Sequence, residues 1–92
     1  MSSAAARTFR IKNKLGLHAR AASLFVQAAS RFDSDIFVAR SGQEVNGKSI
    51  MGILILSAAQ GTEITVRADG RDADGALSAL GELIDNGFGE DE

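Results

Sequence analysis

The 92-residue chain has no cysteine, proline, tryptophan or tyrosine, and only one histidine. Without cysteine there are no disulfides, thiol nucleophiles, iron–sulfur clusters or thiolate zinc sites, and one imidazole cannot build a histidine cluster. No metal and no other cofactor is expected. Long apolar stretches are missing as well: the longest, Ile50 to Leu56, is broken by Gly52 and falls far short of the ~18 residues of a transmembrane helix. The opening Met-Ser-Ser-Ala-Ala-Ala-Arg lacks the apolar centre of a signal peptide, so a cytoplasmic protein without membrane insertion is the expectation. Positive charge is not in excess either. With a net charge of −2 and no Trp or Tyr for stacking, nucleic acid is not an expected partner.

What is present, 45% hydrophobic and 24% charged residues with 10 glycines, is the composition of an ordinary globular domain. A chain of this length has room for a single core, which excludes a large catalytic machine, and a monomer is expected. Charge is unevenly placed along it: Arg67 and Arg71 are the only basic residues after Lys48, whereas most acidic residues stand at or after Asp69.

Thr8 to Lys12 alternates polar and apolar residues, which places Phe9 and Ile11 on one face of a strand that Leu15-Gly16 ends. From Ala19 to Phe32 the residues Ala21, Ala22, Phe25, Ala28, Ala29 and Phe32 recur at helical spacing. Asp35 to Arg40, the turn Ser41-Gly42 and Gln43 to Val45 read as a hairpin. The apolar run from Lys48 to Gln60, Ala-rich at its end and closed by Gly61, reads as a short helix. Thr62 to Ala68 alternates strictly, as a strand with one buried face does. Asp72 is a candidate N-cap for a last helix with a stripe of Ala73, Ala76, Leu77, Leu80, Leu83 and Ile84. The order β-α-β-β-α-β-α predicts an α+β fold, a four-stranded antiparallel sheet covered on one face by three helices. Residues 1–7 are expected to be a flexible tail, 8–88 the domain, and 89–92 an acidic, solvated tail without a role.

His18 stands where the chain turns from strand into helix. The first helical turn leaves amides such as those of Ala19 and Arg20 without partners, and its positive dipole end favours an anion beside the ring. Arg20 adds a planar guanidinium suited to phosphoryl oxygens. For a lone histidine the plainer reading is a helix cap or an exposed side chain, and spacing alone does not choose between the two.

The string Gly16-Leu17-His18-Ala19-Arg20-Ala21-Ala22 resembles the active-site segment of HPr, the histidine-containing phosphocarrier of the bacterial phosphoenolpyruvate-dependent phosphotransferase system. Asn46-Gly47-Lys48-Ser49-Ile50-Met51-Gly52 is similar to the regulatory-serine segment of that family, and the elements from Thr8 to Phe88 fit its open-faced β-sandwich. The resemblance implies that His18 accepts a phosphoryl group, that Arg20 stabilises it, and that Ser49 is a position modified in some bacteria by an HPr kinase/phosphorylase. It implies enzyme I as donor and a transporter or regulatory domain of the phosphotransferase system as acceptor. Asn86-Gly87-Phe88 and the acidic ending look like the nitrogen-related branch, which leaves that branch as the alternative. Ala21 departs from the family, where proline is usual; alanine keeps the helix and leaves its first turn less rigid.

Two other readings compete. Gly42 to Ser49 matches the nucleotide-binding pattern G-x-x-x-x-G-K-S, but a P-loop needs a parallel βαβ context that this chain does not offer. A binding module governed by Ser49 alone would need neither His18 nor Arg20. Ile50, Met51 and Ile55 exceed what one short helix buries, and with Ala19, Arg20 and Lys48 they form a candidate docking patch.

Overall fold

Strict alternation makes one strand the centre of the sheet. In the computed structural model, which describes residues 4–90, the elements are β1 (Ala4–Arg10), α1 (Ala19–Ala29), β2 (Asp35–Arg40), β3 (Gln43–Asn46), α2 (Ile50–Ile55), β4 (Glu63–Asp69) and α3 (Ala73–Asp85), followed by one 3-10 turn, Gly87–Gly89. The four strands form a single antiparallel sheet in the order β1-β4-β2-β3. β4 lies inside it, and its alternate residues Ile64, Val66 and Ala68 are buried. Opposite them in register stand Phe9, Val38 and Ile36, so both neighbouring strands turn apolar residues to the same face. The three helices cover that face, giving the expected open-faced α+β architecture.

α1 contributes Ala21, Ala22, Phe25 and Ala29 to the core, and α3 contributes Ala76, Leu77, Leu80 and Ile84. The other face of the sheet is polar. There the Thr8 and Thr65 hydroxyls pair at 3.0 Å, and Arg67 lies over the Phe37 ring, 4.2 Å from its centroid, while binding Glu44 at 3.0 Å. The expected hairpin forms with a two-residue turn in which Ser41 and Gly42 both take positive φ, +50° and +83°, the pairing of conformations that matches strand twist.

The structure corrects several boundaries. β1 begins at Ala4, so Ala4 to Arg7 are not a flexible tail; Ala4 faces Asp69 and Arg7 faces Val66 across β4. Three successive alanines carry no alternation, and backbone pairing to the open edge of β4 decides their conformation. Residues 1–3 and 91–92 of the expected tails lie outside the described residues. α1 ends at Ala29 rather than Phe32. The chain tightens there, with Arg31 and Phe32 N–H bonding to the carbonyls of Ala28 and Ala29, which keeps Phe32 at helix-like spacing. α2 is much shorter than the run from Lys48 to Gln60: Ser57 takes φ +49°, and the Ala58 carbonyl accepts the Leu17 N–H at 2.9 Å. Asp72 occupies the N-cap position of α3 without capping it. Its carboxylate instead accepts the backbone N–H groups of Asp33 and Ser34, both at 2.9 Å, and the Ser34 hydroxyl, tying the α1–β2 connection to the start of α3.

Candidate functional site

The histidine is placed by a turn that only glycine can make. Gly16 has φ +65°, and a Cβ there would lie 2.4 Å from the Ala58 carbonyl oxygen. That close approach lets the Leu17 N–H reach Ala58 O and buries the Leu17 side chain, so the next residue starts α1 at the sheet's end. His18 is the N-cap in extended conformation, φ −75° and ψ 179°. Its carbonyl accepts the Ala22 N–H at 2.8 Å. Its Nδ1 accepts the Arg20 N–H at 3.3 Å. The amides of Ala19, Arg20 and Ala21 precede the first carbonyl the helix can offer them, and the positive end of the helix dipole lies on the same side of the ring.

The other ring nitrogen is also engaged. Nε2 meets the carboxylate of Glu90, whose second oxygen accepts from the Asn13 amide at 3.1 Å. The same Asn13 NH2 group donates to the Gly16 carbonyl at 2.7 Å. Hydrogen bonding from His18 holds the Glu90 carboxyl below the usual carboxylate range against the cost of its partial burial, with Asn13 and the charges of His18 and Arg20 acting in the same direction. Glu90 was expected to be part of a solvated tail; it belongs to the site instead. Phe88, buried in the core, anchors the segment after α3 so that Glu90 reaches Asn13 and His18. An aromatic residue between two glycines just after a helix is the sequence signal for such an anchor.

The site is an open depression of about 750 Å³ lined by Lys14, Leu15, His18, Arg20, Phe88 and Glu90. The His18 side chain keeps 28% of its surface accessible, enough for a partner protein to reach the ring. Ala19 and Arg20 are exposed beside it. On α2, Ile50, Met51 and Ile55 are exposed apolar side chains, and Leu15, which the sequence reading did not single out, is 68% exposed. Ser49 is the N-cap of α2, its Oγ accepting the Gly52 N–H at 3.1 Å. Lys48 is placed apart from His18, its ammonium donating to the Phe32 carbonyl at 2.7 Å. Gly42 to Ser49 spans the hairpin turn, β3 and the α2 cap, with β2 and β3 antiparallel; no parallel βαβ unit exists among the described residues to make a P-loop. They include no group of three side chains able to hold a metal ion and no helix long and apolar enough to cross a membrane.

Residues 5–86 match the family model described as the PTS HPr component phosphorylation site. The chain belongs to the HPr family. It is 53% identical over 81 residues to phosphocarrier protein HPr of Xylella fastidiosa, covering 88% of this chain and 91% of that one. Among solved structures, HPr-C-His from Thermoanaerobacter tengcongensis superposes with a TM-score of 0.92 at 49% identity, over 96% of this chain and 99% of the other. HPr from Bacillus anthracis gives 0.86 at 44% identity, over 89% and 98%. The activity is that of an HPr-type phosphocarrier, which moves phosphoryl groups between components of the phosphotransferase system and is not itself a catalytic enzyme. The HPr fold places the strand-to-helix turn, the N-cap histidine and the exposed α2 side chains on one scaffold.

Proposed function

We propose that His18 carries the phosphoryl group on Nδ1, taking it from phosphorylated enzyme I and passing it to an acceptor domain of the phosphotransferase system in the cytoplasm. The observation that carries this reading is the direction of Nδ1. It faces the amides that open α1, and in the unloaded protein the Arg20 N–H occupies it. In the forward step the Nδ1 lone pair attacks phosphorus, the N–P bond forms, and the bond to the donor's leaving group breaks with its electron pair. The Arg20 N–H gives up this lone pair as the attack begins and turns to a phosphoryl oxygen, the dipole of α1 stabilises the dianion, and the Arg20 guanidinium adds a charge-assisted contact. Onward transfer reverses these bond changes toward the acceptor nucleophile.

Donor and acceptor dock, in this reading, on Ala19, Arg20, Lys48, Ile50, Met51 and Ile55, with Leu15 extending the apolar surface to the rim of the histidine depression. The cationic residues near His18 favour partners with an acidic face. The acceptor in this reading is a sugar-transporter domain; burial of Phe88 gives Asn86-Gly87-Phe88 a packing role, so that string does not argue for the nitrogen-related branch. Ser49 is the regulatory position, open to a dedicated HPr kinase/phosphorylase at the edge of the same apolar surface.

Intact mass after incubation with phosphoenolpyruvate and enzyme I tests the carrier site. The expected result is a gain of one phosphoryl group that acid removes and that His18→Ala abolishes, since phosphohistidine is acid-labile and phosphoserine is not. Acid-stable labelling, or labelling that persists in His18→Ala, contradicts it.

A further inference from the structure

We infer that Glu90 is a positioning residue for phosphoryl transfer: it keeps the proton of the His18 ring on Nε2, leaves Nδ1 unprotonated so that its lone pair can attack once the Arg20 N–H turns away, and balances the charge of the ring once Nδ1 is loaded. The inference rests on the reading of His18 as the carrier and extends it to the far side of the imidazole.

Two contacts, one on each ring nitrogen, favour the same tautomer. Nδ1 accepts the Arg20 N–H, so it cannot carry a proton of its own. Nε2 faces a carboxylate, which when ionised only accepts, so Nε2 must be the N–H. The low position of the Glu90 carboxyl, set first by its hydrogen bond with His18, agrees with an ionised group. A carboxylate so placed fixes the ring's tautomer and its rotation together.

The carboxylate is held there by more than the histidine. Asn13, 1% exposed, clamps Glu90 Oε1 and the Gly16 carbonyl with one amide group. Phe88 is buried at 4% exposure with φ +56°, a conformation that costs a bulky residue energy and persists only where packing imposes it. The Glu90 side chain itself is only 14% exposed. Lys14 and Arg20, the other charged groups lining the depression, are both cations, which leaves Glu90 as the one anion there among the described residues.

A neutral ring with Nε2–H attacks through Nδ1; the N–P bond forms and the donor's bond to phosphorus breaks. The loaded ring, with substituents on both nitrogens, is a cation, and Glu90 neutralises it without any proton moving. In onward transfer the N–P bond breaks, its electron pair returns to Nδ1, and the ring leaves as neutral imidazole with the proton still on Nε2. Both directions therefore run without acid or base catalysis by solvent.

Nitrogen-15 NMR of the unphosphorylated chain, labelled in histidine and recorded with the ring neutral, tests the tautomer without any phosphoryl donor. The expected parent spectrum is that of the Nε2–H form, with Glu90→Ala showing a measurable rise in the Nδ1–H population, because the 3.3 Å contact from the Arg20 N–H then holds the tautomer alone. In single-turnover loading of the carrier by phosphorylated enzyme I, the step in which the ring becomes a cation, Glu90→Gln, which preserves shape and removes charge, is expected to be about tenfold slower, with Glu90→Asp partly restoring the rate. An Nδ1–H parent, or Glu90 variants that match the parent in both tautomer and rate, overturns the inference. If the variants match the parent while His18→Ala still abolishes acid-labile labelling, the carrier reading stands and the Glu90 inference alone falls.

Discussion

His18 draws its chemistry from what each ring nitrogen touches: a helix-opening amide on one side and a carboxylate on the other. The first of these was legible in the sequence, because a histidine three residues into a Gly-Leu-His-Ala-Arg string necessarily sits near the amides that follow it. The second was not, since Glu90 is 72 residues away and an acidic chain end looks like solvated surface until the burial of Phe88 is known. Arg20 separates a functional from a structural role at the same scale. Its side chain is exposed, and deleting an exposed arginine changes stability little, whereas losing a charge-assisted hydrogen bond to a phosphoryl group costs about 1.5–3 kcal/mol. Arg20→Ala is therefore expected to slow transfer between enzyme I and the carrier by about 10- to 150-fold while the melting temperature stays within ~2 °C of the parent. Stopped-flow transfer rates in both directions, beside a thermal melt, check this, and unchanged rates would mean that Arg20 is only solvated.

Among the elements, α1, β4 and α3 were read from periodicity because each has one buried face and one wet one. α2 was overextended for the opposite reason. The run from Ile50 to Leu56 is apolar on several sides, and its end is set by the Leu17 to Ala58 backbone bond, a partner no local pattern announces. Capping by Ser49 makes this short helix sensitive to substitution. Ser49→Ala removes the acceptor of the Gly52 N–H and is expected to cost about 1 kcal/mol, measured by urea unfolding. Ser49→Asp keeps an acceptor at the cap and suits the helix dipole, so its stability should equal or slightly exceed the parent's. Its charge beside Ile50 and Met51 opposes desolvation against a partner, and phosphorylation of His18 by enzyme I should slow. An unfolded Ser49→Asp, or one loaded at the parent's rate at both low and physiological salt, would remove Ser49 from the docking surface.

At the scale of the whole molecule, the sheet order places β4 between β1 and β2, and the single core forms between that sheet and three helices. The class of fold followed from element order and one-sided apolar faces. The tertiary tie made by Asp72 did not, because a carboxylate just before a helix reads as a local cap. The Ser34 hydroxyl and the amides of Asp33 and Ser34 instead hold the Asp72 carboxyl below the usual carboxylate range. A carboxylate whose folded value is depressed contributes stability that is fully present above its unfolded value and is lost as pH falls through the folded one. Asp72→Asn is therefore expected to be less stable than the parent at pH 7, with the difference shrinking below about pH 4; urea unfolding across that range checks it, and a pH-independent difference contradicts the assignment. Carriage by His18 turns on one atom, and phosphorus-coupled nitrogen-15 NMR of the enzyme I-loaded chain reads that atom directly. Phosphorus is expected to couple to His18 Nδ1 with the proton on Nε2; coupling to Nε2, or phosphorus on any residue other than His18, overturns the assignment.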